Sequence, residues 1–264
     1  MLDAGAGGEI EYVLTEGDAP EGRPLIVCEN GLGAPLESWD WILHHLHGDF
    51  SVLRYHRRGY SRTNSVERPA VILERLLDAL APAKPLCFLT HSMGALVTAN
   101  AIVESPRLRQ QMRAVFVIDG TDAELLRNTR ESPENLGRYR QMSIQEALAS
   151  FTGVSRWTPH KVESDVNYRS TVQRSFLTTS TSPRTMIAAH REYMNEPLSG
   201  QAAMASHDFD RYVIAAGDNK IQQQELARRT DSTFSFVGGS NHRSIIGKTT
   251  FATTVARTVR EALL

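Results

Sequence analysis

The sequence predicts an α/β fold, a mainly parallel sheet flanked by helices, and three observations carry that prediction. Short runs rich in β-branched and apolar residues alternate with longer stretches of helical periodicity, the signature of βαβ units. Two of the runs, Leu86-Cys87-Phe88-Leu89 and Val115-Phe116-Val117-Ile118, are apolar without interruption, as strands covered on both faces must be. The alternation then stops between about Ala123 and Gly200, where helix-like pieces broken at Pro133, Gly153, Pro159, Pro183 and Pro197 replace it.

In chain order, residues 10–15 read as an edge strand, followed by strands over 24–29 and 51–55. Apolar residues Val71, Leu73, Leu76, Leu77 and Leu80 fall on one side of a helix over 70–81. A strand over 86–90, a helix over 93–103 and a strand over 114–119 come next. After the interruption the pattern resumes with a strand over 211–216, a helix over 221–229, a weaker strand over 233–237 and a helix over 250–263. The interruption is too long for a loop in a compact domain, so it predicts a helical insertion, a candidate lid over a pocket. The expected organisation is thus a core of residues 1–122 and 201–264 with a lid of residues 123–200.

Bulk properties narrow the function classes. A chain of 264 residues with 41% hydrophobic and 22% charged residues can bury a core without disulfide or metal support. A formal net charge of -1 offers no general attraction to nucleic acid or an anionic membrane, so neither is expected as a partner. No apolar run approaches the roughly 20 residues of a membrane span, and Met1-Leu2-Asp3-Ala4-Gly5 lacks the basic start of a secretory signal. Cys28 and Cys87 lie inside apolar strand runs and read as buried thiols; a cytoplasmic location is the expectation.

Chemistry concentrates at Leu89-Thr90-His91-Ser92-Met93-Gly94-Ala95, where a strand passes through a tight turn into a helix. A serine there projects its hydroxyl from the sheet, and the helix aims its free N–H groups at any oxyanion that forms beside it. The segment resembles the nucleophile elbow of the α/β-hydrolase superfamily, with Thr90 in place of the usual first glycine. Phe236-Val237-Gly238-Gly239-Ser240-Asn241-His242 is similar to the loop that carries that family's histidine after the last core strand. The order of Ser92 and His242 along the chain is also that family's order. Glu29-Asn30-Gly31-Leu32-Gly33 resembles its oxyanion loop, with Asn30 in place of the usual histidine. The resemblance implies Ser92 as nucleophile, His242 as base, and Leu32 and Met93 as backbone donors to the oxyanion. The resemblance covers residues 10–119 and 211–264 and leaves the insertion unassigned; Asn30, Gly31, His91 and, in the insertion, Trp157 are the candidate substrate-binding residues. His56-Arg57-Arg58-Gly59 matches a structural turn of the family, which makes Arg58 and Gly59 scaffold.

The third catalytic member is left open by the residues. The family's aspartate position in Ala216-Gly217-Asp218-Asn219-Lys220 holds Lys220. Asp218 is the first candidate, Asp119 at the end of the preceding strand the second, and a Ser–His dyad the third. The expected function is hydrolysis of a small-molecule ester or thioester through an acyl-enzyme, with no cofactor. An acyltransferase drawing on a carrier-protein thioester is the alternative, a non-catalytic ligand receptor is a third reading, and a lyase using the same trio stays open. Seven arginines and one lysine between Arg138 and Arg191 supply a basic face for an acidic carrier protein, although solvent serves such a face equally well. His44-His45-Leu46-His47 lacks a carboxylate or cysteine partner at ligand spacing and reads as a helix end. Trp39 and Trp41 are expected to pack the core and the pocket rim. Tyr139, Met142, Phe151, Trp157, Tyr168, Phe176, Met186 and Tyr193 are the candidates for an apolar pocket lining, with half or more of them serving only as insertion core.

Overall fold

Seven strands form the central sheet in the computed structural model, which describes residues 1–3, 8–18, 20, 22–81, 83–152 and 165–264. They are β3 (Tyr12–Thr15), β4 (Leu25–Glu29), β5 (Val52–Tyr55), β6 (Leu86–His91), β7 (Met112–Ile118), β8 (Asp210–Ala216) and β9 (Thr233–Val237). The spatial order is β3-β5-β4-β6-β7-β8-β9, with only β3 antiparallel to its neighbour. Two short strands, β1 (Leu2–Asp3) and β2 (Glu9–Ile10), pair separately. The single strand expected over 10–15 is therefore split at Glu11. Its N–H donates to Thr63 Oγ1 and its carboxylate meets His56 Nδ1 at 2.9 Å, which ties this edge to the turn after β5.

Helices cover both faces. On one side α2 (Pro69–Leu80), α3 (Gly94–Glu104) and α10 (Lys220–Arg229) pack Leu73, Leu76, Ala95, Ala99 and Leu226 against Leu25, Val27, Leu53 and Phe88 of the sheet. On the other, α1 (Asp40–Leu46) and α12 (Thr249–Leu263) bring Ile42, Leu46, Val255 and Val259 onto Ile26, Cys28, Leu89 and Phe116. Fully burying one such side chain stabilises the fold by about 1.5–3 kcal/mol. The buried face of α2 uses Ala70 and Ile72 beside Leu73, Leu76 and Leu77; Val71 and Leu80 of the expected stripe are only partly covered. Cys28 and Cys87 are buried free thiols on neighbouring strands, and burial pushes both far above the usual thiol range. His45 Nε2 is hydrogen-bonded to Thr249 and Thr253, so the histidine run fastens α1 to α12.

Between β7 and β8 the described residues hold helices and no strand: α5 (Ala123–Glu131), α6 (Pro133–Thr152), α7 (Ser170–Ser180), α8 (Pro183–Asn195) and α9 (Gly200–Met204). Pro133 and Pro183 open helices, where a proline's missing N–H costs nothing. Asp122 and Ser182 cap α5 and α8 by accepting from Glu124 N and Thr185 N. A short α4 (Pro106–Gln111) leads into β7, and α11 (Ser244–Gly247) precedes α12. Among the described residues no helix is long and apolar enough to cross a membrane.

Candidate active site

Ser92 follows β6 directly and precedes α3 with φ +54°, the left-handed region that costs a residue with a Cβ about 1–2 kcal/mol. Neighbouring structure holds it there: its N–H donates to Ile118 O at 3.4 Å, and its carbonyl accepts from Thr121 N at 2.9 Å and Ala95 N at 3.1 Å. Gly94 is required next, because a Cβ at that position would lie 2.4 Å from Glu29 O. Thr90, in the place of the family's first glycine, is buried and donates its hydroxyl to Phe116 O of β7 at 3.2 Å. A branched residue thus fits because the adjacent strand supplies an acceptor.

The loop after β4 is pinned from below by Arg57. Its Nη1 donates to Asn30 O at 2.6 Å and its Nη2 to Gly31 O at 3.2 Å, while Tyr60 OH accepts from Gly33 N at 3.2 Å. With those carbonyls turned towards Arg57, no described residue accepts from the N–H of Leu32, and none accepts from that of Met93. Leu32 lines the cavity that Ser92 opens into and Met93 follows Ser92 in the chain, and unengaged backbone donors of this kind suit a developing oxyanion.

His242 sits in the turn between β9 and α11. Asn241 organises that turn, its Oδ1 accepting from Arg243 N and Ser244 N at 3.1 and 2.9 Å. His242 Nδ1 lies 2.5 Å from Asp119 Oδ2, and because a carboxylate only accepts, Nδ1 carries the proton and Nε2 the lone pair. Asp119 is buried just past the end of β7 at φ +44°. Burial alone would raise its carboxyl, but hydrogen bonds from His242, Ala216 N (3.0 Å) and Asn219 Nδ2 (2.7 Å) hold it below its ordinary value. Ser92 and His242 line the same two cavities, and no hydrogen bond joins their side chains in this structure.

The expectation for Asp218 is corrected. It sits exposed in the turn Gly217–Asn219 after β8 and lines an outer cleft, whereas the neighbouring Asn219 points inward to Asp119. Lys220 begins α10, with Nζ 4.0 Å from the centre of the Phe236 ring.

A cavity of about 330 Å³ opens at Ser92 beneath the insertion, and Gly31, Leu32 and His91 line it. Tyr168, Phe176 and Met186 join them; Tyr139 and Tyr193 instead stack on each other at 3.6 Å, and Met142 and Phe151 are exposed. Trp157 lies outside the described residues. Asn30 was expected against substrate, but its buried side chain is spent on the scaffold, accepting from Trp39 Nε1 at 2.7 Å and donating to Tyr55 O at 3.1 Å. Trp41 donates to Asn167 O at 2.7 Å at the edge of the insertion. His91 is a wall and a brace together. Its Nε2 donates to His242 O at 2.8 Å, its ring stacks on that of His242 at 4.7 Å, and its Nδ1 is sealed off without a partner. Burial and the neighbouring His242 lower it to about 3, so it stays neutral.

Sequence reasoning misplaced the arginine and missed two positioning groups. Arg57, not the exposed Arg58, is the buried scaffold residue, and it also carries Glu29 and Glu192 of α8, both at 2.6 Å. Asn219 went unnoticed beside Asp218. Gln223 of α10 clamps the peptide after Asp119, accepting from Gly120 N at 3.1 Å and donating to Gly120 O at 2.8 Å.

Comparison with known proteins places this fold. The model of the Alpha/beta hydrolase family matches residues 26–247. An AB hydrolase superfamily protein of Gibberella zeae is 22% identical over 224 residues, spanning 82% of this chain and 67% of that protein. Among solved structures, one from a study of carboxylesterases of the thaumarchaeon Nitrososphaera gargenis covers 99% of this chain and 98% of its own, at TM-score 0.72 and 16% identity. A thermophilic esterase of Thermogutta terrifontis covers 99% and 97%, at TM-score 0.73 and 16% identity. The enol-lactonase of Burkholderia xenovorans covers 96% of each, at TM-score 0.66 and 18% identity. The solved structures cover nearly all of this chain, and the family match spans the loop after β4, Ser92, Asp119 and His242: the chain belongs to the alpha/beta hydrolase family.

Proposed function

We propose that this chain is a serine-dependent carboxylic ester hydrolase working through an acyl-enzyme at Ser92, without a cofactor. One observation carries the reading: a serine on a left-handed turn shares its cavity with a histidine whose far nitrogen is held at 2.5 Å by a buried aspartate. Ser92 Oγ attacks the acyl carbon and His242 Nε2 takes its proton. The Leu32 and Met93 N–H groups receive the oxyanion. The imidazolium, stabilised by Asp119, protonates the leaving oxygen, and water then repeats the sequence to free the acid. Oγ and Nε2 must close to hydrogen-bonding reach in the substrate complex, a contact that free enzymes of this type commonly hold loosely.

A lysine in the family's usual acid position would favour transfer to a non-water acceptor if it left His242 a weaker base without a carboxylate. With Asp119 against His242 that support lapses. The basic face is also partly spent at home: Arg169 pairs with Asp40, Arg138 with Glu134, and Arg184 donates to Thr63 O at 2.7 Å. A fluorophosphonate tests the reading. Mass spectrometry should find the adduct on Ser92, and Ser92→Ala should remove both adduct and esterase activity; an unlabelled wild-type protein would overturn the proposal.

A further inference from the structure

Ser92 and His242 stand at the junction of two cavities of opposite chemistry. The first, of about 330 Å³, is more apolar than polar, walled by Leu32, Val166, Tyr168, Phe176, Leu177 and Met186, with Glu146, Arg243 and several hydroxyls also in its lining. The second, of about 250 Å³, runs between the end of β7 and α10 past Thr121, Thr129, Asn219 and Gln222. Through Asp122, Leu125, Asn219 and Gln222 it continues into an open cleft of about 830 Å³. We infer that the apolar chamber takes the acyl group and the polar trough takes the leaving group. The substrate is then an ester of a compact apolar acid with a neutral, hydroxyl-bearing alcohol. This deepens the hydrolase reading above and rests on it.

Three features assign the two ends. His242 lines the trough as well as the chamber, so a leaving oxygen lodged in the trough can collect its proton from that imidazole. The side chains of Thr121 and Gln222 make no hydrogen bond with any described residue, so they are open to an alcohol's hydroxyls, whereas the chamber's aliphatic and aromatic walls reward apolar surface. The chamber's volume lies at the small end of ligand pockets, which restricts the acid's size.

Charge narrows the alcohol further. The outer cleft carries Asp122, Glu124, Asp218 and Glu225 against Lys220 and Arg229. Both cations are engaged, Arg229 by Asp122 and Glu124 and Lys220 by the Phe236 ring. A polyanionic leaving group such as coenzyme A therefore meets repulsion along its exit. During turnover the ester C–O bond breaks, the alcohol departs through the trough with a proton from His242, and water enters by the path it vacates. Water's hydroxyl joins the acyl carbon and its proton returns through His242 to Ser92.

The experiment compares kcat/KM for glyceryl monobutyrate, n-propyl butyrate and butyryl-coenzyme A in wild type and Gln222→Leu, with fluorophosphonate labelling of Ser92 in the same preparations. One or two added hydrogen bonds should favour the glyceryl over the propyl ester by about tenfold, with the coenzyme A thioester poorest. Gln222→Leu should cut the glyceryl preference to about threefold or less. Labelled Ser92 with no glyceryl preference, with a preference unmoved by Gln222→Leu, or with coenzyme A favoured overturns the leaving-group assignment and leaves the hydrolase reading standing. Absent labelling and absent turnover of every ester overturn both.

Discussion

The turns at the end of the sheet and the helices above them are built on different principles. At the sheet end, Ser92 and Asp119 occupy left-handed backbone, yet each is fixed by hydrogen bonds from adjoining strands: Ser92 through Ile118 and Thr121, Asp119 through Ile214 and Ala216. Strain of about 1–3 kcal/mol at each is tolerable because the surroundings over-determine the geometry. Among the described residues the insertion is tied to the core mainly by scattered side-chain links, among them Glu192 on Arg57, Glu196 on Asn100, Arg169 on Asp40, Arg184 on Thr63 and Asn167 on Trp41. It leaves Ile144, Leu148 and Phe151 of α6 exposed. The difference teaches that the placement of chemistry and the enclosure of substrate can be perturbed separately.

Substitutions test that separation, and the largest effect falls at the sheet end. Asp119→Asn should lower kcat/KM for a simple ester by about 10⁴, since the amide favours the wrong histidine tautomer, whereas Asp218→Asn should change it less than about twofold. Equal losses at both would break the comparison. Arg57→Met should leave Glu29 and Glu192 without their cation in a buried setting and cost on the order of 3–5 kcal/mol, read as a lower denaturation midpoint. Within the insertion, Phe176→Ala enlarges the chamber. It should shift preference towards longer acyl chains by about 10–200-fold at most, with Ser92 labelling retained.

The smallest expected effect is a matter of pH. Burial raises Glu196 to about 7, above its unfolded value, so stability is fullest below about pH 4.5 and is lost as pH rises through about 7. Glu196→Gln keeps an oxygen for Asn100 Nδ2, at 2.6 Å in the native protein. It should flatten the profile of melting temperature against pH and stabilise the protein by on the order of 1–2 kcal/mol at pH 8, allowing for partial solvent screening.

What could be read in advance follows the same division. The sheet, the turn that holds Ser92 and the loop that carries His242 were legible because uninterrupted apolar runs and glycine-bearing turns are local signals. The carboxylate partner of His242 was not, because Asp119 and Asp218 both lie just beyond strands, and only the inward turn of Asn219 and the outward turn of Asp218 separates them. Asn30 and Arg57 were misjudged for a related reason. Their roles depend on Trp39, Tyr55 and Glu192, partners up to 135 positions away. In the insertion the aromatic residues were visible, but which of them face the cavity is decided by helix packing that no short-range pattern encodes.

Placing the acid at the end of β7 has an evolutionary consequence. The turn Gly217–Asn219 is tied inward by Asn219 on Asp119 and by Gly217 N on Ser240 of the His242 loop, while Asp218, Lys220 and Ile221 line the outer cleft and Gln222 lines both it and the inner trough. Mutation there can recolour or lengthen the exit without disturbing the histidine, so duplicated copies of this gene should diverge at positions 218 and 220–222 before they diverge around Ser92.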